Sequence, residues 1–388
     1  MTMVRRLRTT VIGGSNTVMQ PGYLPQLVEM SAMRGVHIDI VADLSVGGTT
    51  SAYGLYGLKT SEAIEQSDLL IMEYALNDAF IYGDERRQFR HWARLHEGIL
   101  RHALARNPAL RICTLVLGAR NGSWINSVPS IDAGIHYLAE YYGTACIDVP
   151  RELLRRFGRE VVTNPAFYAD QGHYSRPIAT GMLADVAAER LTALATGPWR
   201  EAGAAHLPPP VDPEHFADAE VVTAETLFTL ARDAGVVAFN NRRFSLNAID
   251  LARHELTLKL DGGKLLGVFH VSTGETAPLA LHRNNTGYAC SLLKGGVQDG
   301  KFKFLAAMLP CEFLYGGELL QPVGPETIRL GQAGDAGGLK AHVAKDNVAQ
   351  TTPMPDGSCL PLLGLMHSGK QLDLQIRPRA GNKALAAA

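Results

Sequence analysis

From residue 5 to about residue 195, short apolar runs bounded by glycine or polar breakers alternate with amphipathic stretches. "RRLRTTVIGG" reads as a strand, "YLPQLVEMSAMRG" as a helix, and "VHIDIVADL" and "SDLLIMEYAL" as two further strands. A long helix is predicted from about Glu85 to Arg106, because Trp92, Leu95, Ile99 and Ala103 recur on one stripe at helical spacing. "LRICTLVLGAR" and "TACIDV" predict two more strands with a helix between them, and "RPIATGMLADVAAERLTAL" predicts a closing amphipathic helix. Near-continuous apolar strands alternating with helices imply a parallel sheet covered on both faces.

The pattern changes after Leu194. "TGPWREAGAAHLPPPVDPEHF" has no sustained period and holds three consecutive prolines, which favour an extended, stiff segment, so a linker is placed at 198–214 between domains 1–197 and 215–388. Beyond it, "HELTLKLDGGKLLGVFHVS" alternates around Asp261-Gly262-Gly263, which predicts a hairpin. Similar short runs in "KFKFLAAML", "ETIRLGQ", "LKAHVAK" and "KQLDLQIRP" predict a mainly antiparallel β-domain, read as a sandwich.

A chain of 388 residues with 46% hydrophobic content can bury two cores, in keeping with that division. A net charge of −1 argues against nucleic acid or an anionic membrane as partner. The five cysteines show no CxxC spacing and read as reduced, mostly buried thiols. No run approaches the ~20 apolar residues of a membrane span, and the short apolar run after the basic start is no signal-peptide core, so a cytoplasmic location is expected.

Polar motifs stand where strands end, and in an open parallel sheet ligands bind beyond the carboxyl ends of the strands. Ser15 follows strand one in "GGSN", Gly48 follows strand two in "SVGGTTS", Asn77 follows strand three in "YALND", and "DQGH" lies after strand five. Singly, each has a structural explanation as a helix cap or a turn residue. Together they hold the parts of acyl transfer: Ser15 as nucleophile, His173 as base and Asp170 as the group that orients it. The backbone N–H groups of Ser15 and Gly48, with the Asn77 amide, would supply the oxyanion donors. Gly13 and Gly14 are expected to let the chain turn sharply at Ser15.

With "GGSNT", "SVGGTTS", "ALND" and "DQGHYS" in that order, the chain resembles the SGNH hydrolase superfamily, the GDSL-type esterases and lipases, over residues 10 to 195. The resemblance implies a flavodoxin-like three-layer αβα sandwich and a serine-esterase mechanism. Two positions depart from the family pattern: Gly14 stands where the first block usually has Asp, and Ala75 where the third usually has Gly.

The expected activity is removal of a small acyl group, acetyl above all, from a carbohydrate or glycoconjugate. The rivals are an O-acyltransferase using the same residues and a noncatalytic glycan-binding protein. Neither GxGxxG nor GxxxxGK[ST] occurs, so no cofactor is expected. No metal site is expected either, and His91, His96 and His102 in "HWARLHEGILRH" are read as a solvated helix face. Tyr53 and Tyr56 are candidates for a substrate wall, with packing as the alternative, and "FNNRRFSLN" reads as either a carbohydrate contact or a turn.

Overall fold

The structure, a computed structural model, describes residues 5–82, 86–197, 207–241, 244–316, 322, 324–334, 338–350 and 358–379. The chain divides into two compact units, Met1–Asp218 and Ala219–Ala388.

In the first unit, β1 (Arg5–Gly13) leads through α1 (Ser15–Val18) and α2 (Tyr23–Met33) to β2 (Val36–Asp43). Then follow α3 (Ser51–Lys59), β3 (Leu69–Glu73), α4 (Ala75–Tyr82), α5 (Arg86–Arg106), β4 (Arg111–Val116), α6 (Ser123–Asn126), α7 (Ser130–Tyr142), β5 (Ala145–Asp148), α8 (Val149–Val162) and α9 (Ile178–Thr196). The five strands are all parallel, in the order β2-β1-β3-β4-β5, which is the flavodoxin-like order. Side chains alternate across the strands, and Leu7, Val11, Leu69, Ile71, Cys113 and Leu115 meet α2 and α9 in one core. On the opposite face Ile12 meets α3 at Gly54, and α3, α4 and α7 pack with α5. The three-layer αβα architecture expected from the strand pattern is therefore present. "YAL", read as the end of the third strand, instead begins α4 one residue after Tyr74.

The long helix is described from Arg86; Glu85, its expected start, lies outside the described residues. Trp92, Leu95, Ile99 and Ala103 are buried as the stripe predicts. The histidines are not solvated, which corrects the reading of that face: His91 and His96 are 1% and 2% exposed, and His102 is half-buried. His96 lies beside Trp92 with ring centroids 5.3 Å apart, and burial lowers its pKa to about 4. His91 meets Phe216 edge-on at 5.1 Å.

Phe216 belongs to the segment that covers the helix. Described from 207 onward, this proline-rich stretch is held on α5 by polar bonds rather than hanging free. Glu97 accepts from the backbone N–H of Val211 and Asp212 at 2.6 and 2.9 Å. Arg94, whose side chain is 6% exposed, pairs with Asp212 at 3.0 Å and with Glu214. The first unit accordingly runs to Asp218, whereas composition placed residues 198–214 in a linker; residues 198–206 lie outside the described residues. A chain ending at 197 would lose these pairs and uncover the α5 surface on which Phe216 packs, at a cost of about 2–4 kcal/mol. Calorimetry should therefore find residues 1–218 melting roughly 10 °C above residues 1–197.

The second unit contains β6 (Glu220–Thr223), α10 (Ala224–Leu230), β7 (Val236–Asn240), β8 (Ser245–Asp250), β9 (His254–Asp261), β10 (Leu265–Thr273), β11 (Leu279–Arg283) and β12 (Thr286–Cys290). After α11 (Gly295–Gln298) come β13 (Phe304–Pro310), β14 (Pro325–Gln332), β15 (Lys340–His342), β16 (Pro361–His367) and β17 (Lys370–Pro378). One sheet runs β13-β10-β16-β8-β7 with β6 also on β16, and the other runs β15-β12-β11-β14-β9-β17. All pairs are antiparallel except β12 with β15. Leu256, Leu258 and Leu260 of one sheet share a core with Leu265, Val268, Leu362 and Leu365 of the other, so the unit is a sandwich.

The predicted hairpin at Asp261-Gly262-Gly263 is not one. β9 pairs with β14 and β17, β10 pairs with β13 and β16, and the glycine turn carries the chain from one sheet to the other. The two strands differ in pattern for that reason: β9 alternates buried with exposed residues, while β10 is buried along nearly its whole length. "FNNRRFSLN" forms the β7–β8 turn, with Asn241 N–H donating to the Phe244 carbonyl at 3.1 Å; Arg242 and Arg243 lie outside the described residues.

Candidate active site

In the order β2-β1-β3 the chain leaves β1 in one direction for β2 and later returns on the other side for β3, which opens a crevice at the carboxyl ends. Ser15 sits at that point. The Val46 N–H donates to the Gly13 carbonyl and the Gly14 N–H to the Glu73 carbonyl, both at 3.0 Å, so the loop after β2 and the last residue of β3 are hydrogen-bonded to the end of β1.

Ser15 Oγ lies 2.7 Å from His173 Nε2. On the other side of the ring, His173 Nδ1 is 2.8 Å from both carboxylate oxygens of Asp170. A carboxylate only accepts, so Nδ1 carries the proton and Nε2 is left to accept the Ser15 hydroxyl proton. Asp170 Oδ1 also accepts from the backbone N–H of Gly172 and His173 at 2.9 and 3.0 Å. Burial pushes the Asp170 carboxyl up, but these backbone bonds and the imidazole outweigh it and hold the group below its ordinary range. Asp170 is thus kept ionised where it can hold the ring in one tautomer.

The loop bearing this pair is fixed from below. Tyr174, 1% exposed, exchanges hydrogen bonds with both backbone groups of Gly118 at 2.9 Å. The Arg120 N–H donates to the Gln171 carbonyl at 3.0 Å. Asn16, which the sequence reading passed over, ties the Ser15 turn to the His173 loop: its Nδ2 donates to the Gly172 carbonyl at 2.9 Å. Its only signal in the sequence is its place beside Ser15.

Gly48 has φ +80°, a conformation a side chain would strain, and it is exposed. Asn77 Nδ2 donates one hydrogen to the Thr49 carbonyl at 2.8 Å, which orients the amide and leaves a second N–H. Asp78, wholly buried, accepts from Ser51 N–H and Trp92 Nε1, each at 2.9 Å, and so fastens α3 to α4 and α5. Burial raises its pKa to about 7. Tyr53 is 6% exposed and Tyr56 half-buried, with ring centroids 5.7 Å apart, so Tyr53 presents little surface to a ligand.

The first-block glycine has a different reason from the one the sequence suggested. Gly14 adopts φ −92°, open to other residues, but a Cβ there would lie 2.8–2.9 Å from the side-chain amide of Asn77. Gly13 likewise leaves room for Thr17 Oγ1. The residues replace bulk with space, so that Asn77 lies directly against the backbone of the turn that carries Ser15. Gly14→Asp, which introduces the residue usual at this place in the superfamily that the sequence resembles, is expected to push Asn77 aside and lower kcat about tenfold or more with a smaller change in KM, as steady-state kinetics would measure.

Neither a protein-family profile nor a curated protein sequence matches the chain. Among solved structures it is similar to a two-domain esterase, CEX, active on acetylated mannans, with a TM-score of 0.60 and 12% identity over 97% of this chain and 92% of that one. The same esterase co-crystallised with mannopentaose superposes with a TM-score of 0.59 over the same shares. A lipase/acylhydrolase from Enterococcus faecalis matches 48% of this chain and 96% of its own, at 15% identity and a TM-score of 0.37. Across both units this chain shares the fold of that two-domain esterase, with the flavodoxin-like strand order in its first unit.

Proposed function

We propose that this protein is a serine esterase that removes a small acyl group, acetyl, from an oxygen of a carbohydrate. The observation that carries the proposal is the hydrogen-bonded series from Ser15 Oγ through His173 to Asp170, at 2.7 and 2.8 Å. His173 Nε2 takes the Ser15 proton as Oγ attacks the ester carbonyl carbon. The Ser15 and Gly48 N–H groups and the Asn77 amide then meet the oxyanion. Collapse of the intermediate breaks the bond to the sugar oxygen, which leaves with the proton from His173. Water, deprotonated by the same nitrogen, releases the acid and restores Ser15.

The carbohydrate assignment is supported by the fold shared, over both units, with an esterase active on acetylated mannans. Residues 219–388 are proposed to hold the glycan chain, while residues 1–218 perform the chemistry. The test is free-acetate release from acetylated mannan and acetylated xylan, with mass spectrometry locating the adduct of a fluorophosphonate probe. Acetate release and a Ser15 adduct are expected. Absence of both would overturn the esterase, and acetylation of an added sugar in place of acetate release would replace hydrolysis by transfer.

A further inference from the structure

β3 is an apolar strand that ends in a buried acid. Glu73 closes "LLIME" with no solvent exposure, directly beneath the turn that carries Ser15. Its Oε2 accepts from Thr17 Oγ1 at 2.9 Å, and Thr17 Oγ1 lies 2.9 Å from the Tyr23 hydroxyl. Its carbonyl accepts from Gly14 N–H at 3.0 Å. Residues on both sides of Ser15 and Asn16 are therefore tied to Glu73. Among the described residues its Oε1 has no hydrogen-bond partner.

We infer that Glu73 is a positioning residue for the nucleophile: it works as a neutral acid that holds the Ser15 turn through Thr17, and its ionisation switches the site off. The activity arm of this inference rests on the esterase reading above. A buried carboxylate without a counter-ion is far more costly than a buried carboxylic acid. The titratable groups that face Glu73 are Tyr23 from α2, Tyr74 and Asp78 beyond β3, and Tyr174 from the His173 loop, all neutral or anionic. Burial, opposed by hydrogen bonds from Thr17 and Gly14 and assisted by Asp78, raises Glu73 to about 8. Ionisation would then place negative charge in a low-dielectric region under the donors that must stabilise an oxyanion. Turnover should fall as the pH rises through that value.

The test compares wild type, Glu73→Gln and Thr17→Val. With 4-nitrophenyl acetate at about pH 7, Glu73→Gln should keep kcat within about threefold, because the amide preserves shape and an acceptor for Thr17. The alkaline fall of the wild type should vanish in it. Thr17→Val, nearly isosteric, should lower kcat about tenfold or more with KM within about twofold. An alkaline fall unchanged in Glu73→Gln would overturn the inference, as would full activity in Thr17→Val.

A second measurement needs no turnover. The folded-state pKa of Glu73 lies above its ordinary 4.5, so its contribution to stability is complete below 4.5 and is lost as pH rises to about 8. The unfolding midpoint of Glu73→Gln should therefore gain on wild type between about pH 5 and about pH 9. A midpoint difference that stays constant over that range would overturn the neutral acid. An inactive wild type would overturn the esterase reading instead, and the midpoints would then decide Glu73 alone.

Discussion

Alanine at Ser15 or at His173 is expected to lower kcat on a small acetate ester by ~10⁴–10⁶-fold, with the two losses failing to add in the double variant. The reason is the single hydrogen bond of 2.7 Å between Ser15 Oγ and His173 Nε2. Once the hydroxyl is gone the imidazole has no proton to take, and once the imidazole is gone the hydroxyl stays protonated. Neither change should unfold the protein, since both side chains are part-buried at the carboxyl edge of the sheet and outside its apolar core. Kinetics of both single variants and the double variant, beside their melting curves, check the expectation. An active Ser15→Ala protein would remove Ser15 from the chemistry.

The next largest effect belongs to Asn77. Replacement by alanine should cost ~10²–10³ in kcat while KM changes little, because a donor aimed at an oxyanion acts on the transition state more than on the bound ester. The geometry makes this amide stiff: Thr49 accepts one hydrogen at 2.8 Å, and Gly14 backs the side chain so closely that a Cβ would touch it. Asn77→Asp is the sharper variant. It keeps the shape, sets a carboxylate against the Thr49 carbonyl and brings charge of the wrong sign to the oxyanion. Its kcat should fall below that of Asn77→Ala, and unchanged kcat in either variant would place Asn77 outside the reaction.

Residues spaced along the chain were legible as a set because each follows a strand, and strand ends converge in a parallel sheet. Ser15 and Asn77 flank the crevice between β1 and β3, and the "DQGH" loop reaches it from beyond β5. What escaped was the framework behind them. Asn16, Thr17 and Glu73 are polar residues with partners in distant segments, and no local pattern tells a buried hydrogen-bonded acid from an exposed one. Glu73 did leave a trace, as the one charged residue of a strand that is otherwise wholly apolar. The same limit explains His91 of α5: the helix period marks Trp92 and Leu95 as buried, but it takes Phe216 of the returning segment 207–218 to cover His91 as well, while His96 is buried beside Trp92 itself.

The sequence by itself determined the strand–helix alternation of the first unit, the antiparallel character of the second and the order of the polar motifs. All three follow from periodicity and breaker residues, which act over a few positions. Tertiary structure alone decided three other matters. It carried Asp261-Gly262-Gly263 between two sheets instead of closing a hairpin, because pairing depends on which strands share a core. It moved the end of the first unit to Asp218, because ion pairs to Arg94 reach across more than a hundred residues. It also gave Gly14 its reason, since the need there is space for the Asn77 amide and not a turn, and space is set by what arrives from elsewhere in the chain.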